Sequence, residues 1–217
     1  MLLQLAIDKP ESMGVISLVA DLVDIVEVGT PVLKRLGLNA ITAARKLALD
    51  TAVLADTKTV DAGATEAEMV FAAGAKLCTV LSNADRATHV AAAAVAEKFD
   101  AYLVADTIVD SDIAHLSARL PDREAYVSVH IPTDARLYGE VDLEQYVRRV
   151  REVRDLGYQI SLAGGMGPDR LDFAISADPD ILVVGSAITE ADDPRKVTQW
   201  MRDRMPATGH GWPSSRR

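Results

Sequence analysis

The sequence contains few of the residues that proteins use for cross-linking and for binding transition metals. It has one cysteine, Cys78, and four histidines among 217 residues. One cysteine cannot form an internal disulfide, which favours a reducing cytoplasm as the location of the protein. Cys78 lies within an apolar run, so buried packing is expected for it rather than catalysis.

Long apolar runs and excess positive charge are also absent. No apolar run reaches the roughly 20 residues that a membrane-spanning helix needs, and no basic region precedes the first apolar segment, so neither a membrane anchor nor a signal peptide is predicted. The 23 Lys and Arg residues are outnumbered by 32 Asp and Glu, for a net charge of -9. An acidic surface argues against nucleic acid or an anionic membrane as the main partner, although it permits a local positive pocket for a phosphate.

Short apolar strands alternate with helical segments along the whole chain. Eight strands are predicted, at residues 2–7, 25–28, 52–55, 77–81, 101–105, 125–129, 159–163 and 181–184. Continuous apolar strands that alternate with helices indicate a parallel sheet covered by helices. The pattern predicts an α/β fold, a single (β/α)8 TIM barrel over residues 1–205, with a doubly wound open sheet as the main alternative. Residues 206–217 are expected to form a poorly ordered tail.

Polar residues collect where the predicted strands end, which is the edge that carries the active site in such barrels. In chain order these ends carry Asp8, Glu27, Asp56 with Lys58, Asn83 with Asp85, Asp106, His130 with Asp134, Gly164 with Gly165, and Gly185 with Ser186. Asp85 is expected to cap a helix. Glu27 lies within a strand, where an unpaired carboxylate would be costly. Glu27 and Asp56 could share one divalent cation, and oxygen ligands with room for water would suit Mg²⁺.

Asp56, Lys58 and Asp61 follow a buried apolar run and carry the strongest indication of chemistry. Residues two apart share a face of a strand, so Asp56 and Lys58 are predicted to point the same way. Such a pair shifts pKa values and can hold a metal, a substrate hydroxyl and a developing negative charge close together. A structural ion pair at the strand end is the alternative, and these residues alone leave both interpretations open.

One histidine and two glycine sites complete the set of candidates. His130 ends the sixth strand and is the only histidine placed for acid–base work, with a structural role as the alternative. Gly164–Gly165 and Gly185 follow the last two strands, where glycine lets backbone N–H groups approach a phosphate. A single Gly-Gly sequence more often marks a tight turn than a binding site. Two sites after strands seven and eight indicate a sugar-phosphate ligand.

Taken together, these motifs resemble the orotidine-monophosphate-decarboxylase suprafamily, and within it the branch of 3-hexulose-6-phosphate synthase and 3-keto-L-gulonate-6-phosphate decarboxylase. The similarity extends over nearly the whole chain. It rests on a complete Asp-x-Lys-x-x-Asp motif, a His-x-x-x-Asp spacing, two acidic strand ends and the glycine sites: Asp56, Lys58, Asp61, His130, Asp134, Asp8, Glu27, Gly164, Gly165, Gly185 and Ser186.

The resemblance implies a role for each matching residue. Glu27 and Asp56 would hold Mg²⁺, which would stabilise an enediolate formed on the substrate. Lys58 would donate a hydrogen bond to the same negative charge. Asp8 would hold Lys58 or a substrate hydroxyl, and His130 would move the proton.

The remaining positions are assigned to the substrate and to a second subunit. By the same resemblance, Asp106, Asp134 and the two glycine sites would bind the substrate and its phosphate. Members of the branch are dimers whose active sites straddle the interface. A homodimer is therefore expected, in which Asp61 would reach into the partner's site.

Few positions separate the two activities of the branch. The decarboxylases carry arginines where this chain has Thr133 and Ser186, and the synthases usually have the aspartate that is matched here by Asp106. These positions favour the synthase, which adds formaldehyde to D-ribulose 5-phosphate. The loop at residues 131–136 fits neither pattern cleanly, because Pro132 stands where the synthases have a glycine and Thr133 where they usually have an aromatic residue. Arg136 could place a guanidinium near the site, although a surface role is expected for it. The decarboxylase, a related decarboxylase or aldolase that uses a different phosphorylated ketose or another aldehyde, and a non-catalytic sugar-phosphate binder remain open as alternatives.

Overall fold

A closed barrel of eight parallel strands, hydrogen-bonded in sequence order, forms the centre of the molecule. The computed structural model describes residues 1–110, 112–121, 124–139 and 141–207. The strands are β1 (Leu2–Ile7), β2 (Ile25–Val28), β3 (Ala52–Thr59), β4 (Leu77–Leu81), β5 (Tyr102–Asp106), β6 (Glu124–His130), β7 (Ile160–Ala163) and β8 (Ile181–Val184). Because β1 pairs with β8, the predicted TIM barrel is confirmed and the open doubly wound sheet is excluded. Of the expected tail at residues 206–217, residues 208–217 lie outside the described residues.

Helices connect the strands on the outside of the barrel. They are α1 (Ile16–Val19), α2 (Thr30–Leu36), α3 (Asn39–Ala48), α4 (Gly63–Ala72), α5 (Arg86–Lys98), α6 (Leu116–Arg119), α7 (Thr133–Tyr138), α8 (Leu143–Asp155), α9 (Leu171–Ala177), α10 (Ser186–Thr189) and α11 (Pro194–Arg202), with short 3-10 helices at Pro10–Val15 and Pro168–Arg170. None of the described helices has both the length and the apolar character needed to cross a bilayer.

Local sequence signals explain some of the helix boundaries. The Asp85 side chain accepts a hydrogen bond from the backbone N–H of Ala87 at 2.8 Å, which confirms its predicted role as the cap of α5. The segment between β2 and β3 forms two helices, α2 and α3, instead of one continuous helix. Gly37 has a φ of +63° and ends α2, because glycine adopts the left-handed region without strain.

Two layers of apolar side chains form the core. Alternate residues of the strands point into the barrel and fill its interior: Leu2, Ala6, Ile25, Leu54, Leu77, Val104, Tyr126, Ala163, Ile181 and Val183. The other strand residues pack against the helices, and Cys78 lies buried in this outer layer, as expected. On several strands the next inward position towards the carboxyl end is polar, and this change from apolar to polar creates the site at the barrel mouth.

We expect Leu77→Ala to lower the free energy of unfolding by about 2–5 kcal/mol, because it opens a cavity in the barrel interior. Leu77 is fully buried, whereas Leu49 is 72% exposed. Urea denaturation followed by circular dichroism would measure the change. The matched variant Leu49→Ala should stay within about 0.5 kcal/mol of the unchanged protein. Equal effects of the two substitutions would contradict this description of the core.

Candidate active site

The ammonium group of Lys58 lies between two buried carboxylates at the mouth of the barrel. Its Nζ atom donates to Asp56 Oδ1 and Oδ2 at 2.9 and 2.8 Å, and to Asp106 Oδ2 at 3.0 Å. Asp56 is 6% exposed and Asp106 is 1% exposed, so both charges have lost most of their hydration. Such burial is tolerated only when the charges are paired and hydrogen-bonded, as they are here. The prediction that Asp56 and Lys58 share a face agrees with these contacts.

Two threonines hold Asp56 in place, and neither was singled out from the sequence. The Thr79 hydroxyl donates to Asp56 Oδ1 and the Thr30 hydroxyl is 2.8 Å from Oδ2. Thr79 interrupts the apolar strand β4 at an inward position, next above Leu77, which is the signal that could have identified it. Asp56 is therefore fixed by neighbours on β4 and α2 as well as by Lys58.

An irregularity in β3 directs Lys58 towards the mouth. The strand continues to Thr59, four residues beyond the predicted end, and the stretch from Ala55 to Thr59 lies opposite only Cys78 to Val80 of β4. Within this bulge Lys58 has a φ of +49°, a left-handed conformation that costs a non-glycine residue about 1–3 kcal/mol. Its backbone N–H donates to the Thr79 hydroxyl at 2.8 Å, and the ion pairs help to offset the strain.

Asp106 also contacts the histidine that was predicted to move a proton. His130 Nδ1 is 3.5 Å from Asp106 Oδ2, the same oxygen that accepts from Lys58. The other oxygen of Asp106 accepts from the backbone N–H of Ile108 at 2.9 Å. Asp106 thus orients both a cation and an imidazole, and its predicted part in substrate binding stays a prediction.

The pKa shifts follow from this arrangement. Burial by itself would raise the pKa of Asp106, but the hydrogen bond and charge of His130, together with Lys58, lower it to about 2. Burial by itself would lower the pKa of Lys58, but Asp56 and Asp106 outweigh that effect and raise it. Lys58 therefore stays protonated at neutral pH, where it can donate hydrogen bonds but cannot act as a base.

A third carboxylate, Glu27, lies in the same region of the barrel. Its Oε2 atom accepts a hydrogen bond from the side chain of Gln4 at 2.7 Å. Burial, followed by the negative charges of Asp56 and Asp8, raises the pKa of Glu27 to about 8. The excess of carboxylates here is the electrostatic setting that a divalent cation relieves, and carboxylate oxygens suit Mg²⁺.

The donor set fits such a cation only in part. Within the described ranges, no group of three or more His, Cys, Asp or Glu side chains is arranged to hold a metal. Both oxygens of Asp56 already accept hydrogen bonds, and Lys58 and Thr30 both approach its Oδ2. Glu27 and Asp56 would thus need water or substrate oxygens to complete a coordination shell, and the two-carboxylate metal site stays a prediction.

Asp8 stands at the rim and brings the first strand to the site. A Cβ atom on Gly29 would lie 2.2 Å from Asp8 Oδ1, and one on Gly185 would lie 3.5 Å from Asp8 Oδ2. Only glycine at position 29 leaves room for this carboxylate. Loss of hydration against the surrounding protein, followed by the negative charge of Asp56, raises the pKa of Asp8. Asp8 makes no hydrogen bond with Lys58 among the contacts of the described chain, so binding of a substrate hydroxyl is the remaining part of its predicted role.

The two glycine sites lie together after β7 and β8. Gly164 and Gly165 have φ values of +104° and +68°, which glycine adopts readily. A Cβ on Gly167 would lie 2.7 Å from Cβ of Ala187, so the loops after β7 and β8 touch. The backbone N–H groups of Gly164, Gly165 and Ser186 find no acceptor among the described residues. Such unpaired donors are available to an anion.

Two predicted residues lie apart from this cluster. Asp61 is exposed, and its side chain accepts only a hydrogen bond from the neighbouring backbone N–H of Ala62 among the contacts of the described chain. Asp134 is exposed on the first turn of α7. Their predicted roles, at a subunit interface and in substrate binding, stay predictions.

Arg136 differs from the expectation of a surface role. It is partly buried, and a Cβ on Gly165 would lie 2.7 Å from both Cδ and Nη1 of Arg136. Its charge also acts on Asp8, whose pKa it lowers slightly against the other influences. The guanidinium thus lies at the mouth, over the turn that follows β7.

Comparison with known proteins places this geometry in a family. The family model described as Orotidine 5'-phosphate decarboxylase / HUMPS family matches residues 1–200. The chain belongs to this family. It is 34% identical over 207 residues to 3-hexulose-6-phosphate synthase of Staphylococcus haemolyticus, covering 94% of this chain and 98% of the relative.

Solved structures of the family have the same barrel. A 3-hexulose-6-phosphate synthase from Salmonella typhimurium is 33% identical, with a TM-score of 0.84 over 94% of this chain and 97% of that one. KGPDC from Streptococcus mutans, in complex with a D-pentose 5-phosphate, is 27% identical, with a TM-score of 0.82 over 93% and 95%. These relatives confirm the branch that the motifs indicated.

The depressed pKa of Asp106 predicts an acid-sensitive contribution to stability. A carboxylate with a pKa of about 2 in the folded state and 3.8 otherwise stabilises the fold fully above about pH 4, and this contribution falls as the pH drops towards 2. The unfolding free energy of the protein relative to Asp106→Asn should therefore fall by roughly 1 kcal/mol between pH 5 and pH 3. Urea denaturation at several pH values would measure it. A difference that does not change with pH would refute the shift.

Proposed function

We propose that this protein is a carbon–carbon lyase of the 3-hexulose-6-phosphate synthase type, which joins formaldehyde and D-ribulose 5-phosphate in an aldol addition. The observation that carries the proposal is the position of the Lys58 ammonium between Asp56 and Asp106. His130 contacts the carboxylate of Asp106 as well. This arrangement places a fixed positive charge next to a group that can move a proton. The similarity to named synthases over nearly the whole chain supports the same reaction.

The polar groups of the mouth support a phosphorylated ketose as substrate. Unpaired backbone N–H groups lie after β7 and β8, the recurrent phosphate position of TIM barrels. The carboxylates and Lys58 lie on the side of β1 to β5. A ketose phosphate would fit with its phosphate at the glycine loops and its carbonyl end near Lys58. The KGPDC complex with a D-pentose 5-phosphate supports such a ligand.

Lys58 supplies positive charge where negative charge develops. Removal of a proton from the carbon next to the ketose carbonyl leaves an electron pair that moves onto the carbonyl oxygen. The raised pKa of Lys58 keeps its ammonium charged throughout, so it can donate a hydrogen bond to this enediolate oxygen. The bulge in β3 and the two carboxylates fix its position before substrate arrives.

His130 is the group that moves the proton. Because Nδ1 faces Asp106, the hydrogen on the ring is held at Nδ1 and Nε2 carries the lone pair. Nε2 removes the proton from the ketose carbon, and the resulting enediolate carbon attacks the carbon of formaldehyde to form the new bond. The formaldehyde oxygen then takes the proton back from His130, so the reaction consumes no other acid or base.

We also propose that Glu27 and Asp56 hold Mg²⁺. The cation would act there as a Lewis acid towards oxygens of the ketose. Support comes from the raised pKa of Glu27 between Asp56 and Asp8, since a buried carboxylate in that position lacks compensating positive charge. Lys58 alone does not balance the carboxylates that surround it.

A homodimer with shared active sites is part of the same proposal. The one hydrogen bond of the Asp61 side chain among the described contacts is with its neighbour Ala62, and three apolar side chains between residues 60 and 90 are exposed: Val60, Met69 and Val90. These residues follow β3 or lie on α4 and α5, which pack side by side. A second subunit that covers this region would bury these side chains. Asp61 would then lie at the barrel mouth of that second subunit. The cytoplasmic location also stays a prediction.

The decarboxylase of the same branch is the second candidate. It is supported by the KGPDC structures, which share the barrel at 27% identity. The arginines that the decarboxylases carry are replaced here by Thr133 and Ser186, and for this reason we rank the synthase first.

The assay that tests the proposal supplies formaldehyde and D-ribulose 5-phosphate with and without Mg²⁺. We expect hexulose phosphate to form only with the metal, and Asp56→Asn to abolish turnover with an unchanged circular dichroism spectrum. Release of carbon dioxide from 3-keto-L-gulonate 6-phosphate would instead identify the decarboxylase. Full activity of Asp56→Asn would rule out the metal assignment, and sugar-phosphate binding without turnover would support a non-catalytic binder.

Lys58→Ala should lower kcat by about 100- to 1000-fold, while the affinity for D-ribulose 5-phosphate changes much less. The charge is required mainly as the enediolate forms, and the phosphate lies elsewhere in the mouth. Lys76→Ala is the matched control, because Lys76 is a surface lysine paired with Asp100 at 3.5 Å. Equal losses of kcat and affinity would contradict the role given to Lys58.

A further inference from the structure

Arg136 lies against the turn that follows β7. A Cβ atom added to Gly165 would meet Cδ and Nη1 of Arg136 at 2.7 Å, so the arginine side chain passes directly over this glycine. Gly165 has a φ of +68°, and any larger residue there would be strained as well as crowded. The guanidinium is thus positioned by α7 next to the turn between β7 and the loop that leads to α9.

Arg136 forms no salt bridge within the described part of the chain, although its charge acts on Asp8. Its Nε atom is buried without a hydrogen-bond partner, and Nη2 makes only a long contact of 3.4 Å with the Thr133 hydroxyl. Lys58, by contrast, is paired with two carboxylates. A partly buried guanidinium whose Nε has no acceptor is costly, and an anion that binds beside it would reduce that cost.

The backbone around Arg136 offers further donors to the same anion. The N–H groups of Gly164 and Gly165 have no acceptor in the described ranges, and neither does that of Ser186 on the adjoining loop. These loops touch through Gly167 and Ala187. A phosphate monoester has enough acceptor oxygens to bind both the backbone N–H groups and a planar guanidinium.

We propose that Arg136 binds the phosphate of the sugar phosphate, closing over it from α7 while the glycine turns hold it from below. The proposal rests on the proposed function only in taking a phosphorylated sugar as the ligand. Arg136 would determine specificity for phosphorylated over unphosphorylated sugars, and it would take no part in the transfer of the proton. Arg136 lies on the short helix α7, after β6. The positive charge that binds the phosphate would therefore come from a different segment than the two glycine loops after β7 and β8.

Calorimetric titration of the full-length protein and its variants tests the contact. D-ribulose 5-phosphate and unphosphorylated D-ribulose are titrated directly, and inorganic phosphate is measured by competition. Arg136→Gln should weaken both phosphate-bearing probes by roughly 10- to 100-fold, the loss expected for a charge-assisted contact. Binding of D-ribulose should not change. Arg136→Lys keeps the charge but not the planar fork, so an intermediate loss is expected.

Arg151→Gln is the matched control, because Arg151 is exposed on α8 and far along the helix from the mouth loop. It should bind all probes as the unchanged protein does. Circular dichroism establishes whether each variant is folded. If Arg136→Gln does not fold, the same titrations with Arg136→Lys test the contact.

Three results would overturn the proposal. These are unchanged affinity of both Arg136 variants for D-ribulose 5-phosphate, an equal loss of affinity for D-ribulose, and no phosphate binding by the unchanged protein. The first two would leave the proposed reaction intact. Conversely, the expected losses in a protein that does not join formaldehyde to D-ribulose 5-phosphate would refute the reaction and retain the phosphate contact.

Discussion

The ion pairs of Lys58 with Asp56 and Asp106 are the interaction on which the rest of the barrel mouth depends. Two carboxylates are buried there, and without the ammonium each would keep its other hydrogen bonds but lose the positive charge that is paired with it. The bulge in β3 and the positive φ of Lys58 are local costs that this contact helps to offset. Thr79 connects the ion pair with the bulge, since its hydroxyl contacts both the Asp56 carboxylate and the Lys58 backbone.

The same ion pairs divide the mouth into regions with different electrostatic character. On the side of β1 and β2, carboxylates outnumber positive charges, and the pKa of Glu27 rises to about 8. On the side of β5 and β6, Asp106 orients His130 and its own pKa falls to about 2. Arg136 and the glycine turns add a third region with unpaired donors. A ligand with one phosphate and adjacent oxygens fits this division, because each region favours a different part of it.

Sequence reasoning predicted the barrel closely and the site in part. Seven of the eight strands begin and end within one residue of their predicted bounds, because continuous apolar runs between helical segments are a local signal. The exception is β3, whose polar extension from Asp56 to Thr59 has no apolar pattern. Thr30 and Thr79 were missed for a related reason: a threonine in a strand is common, and only the position of Asp56 across the sheet gives these two a function.

The sequence by itself determined the order of strands and helices, the acidic strand ends and the glycine turns, since each depends on residues adjacent along the chain. It also limited the choice of family, because several short motifs occurred together at the expected spacing. Only the tertiary structure decided which of these residues meet. Lateral pairing of β3 to β5 brings Asp56 to Asp106 through Lys58, and pairing of β6 with β7 brings Arg136 to Gly165; such contacts depend on the register of neighbouring strands and the path of the loops. An arginine on a short helix is buried or exposed according to what lies beside it in space, which no local pattern of residues encodes.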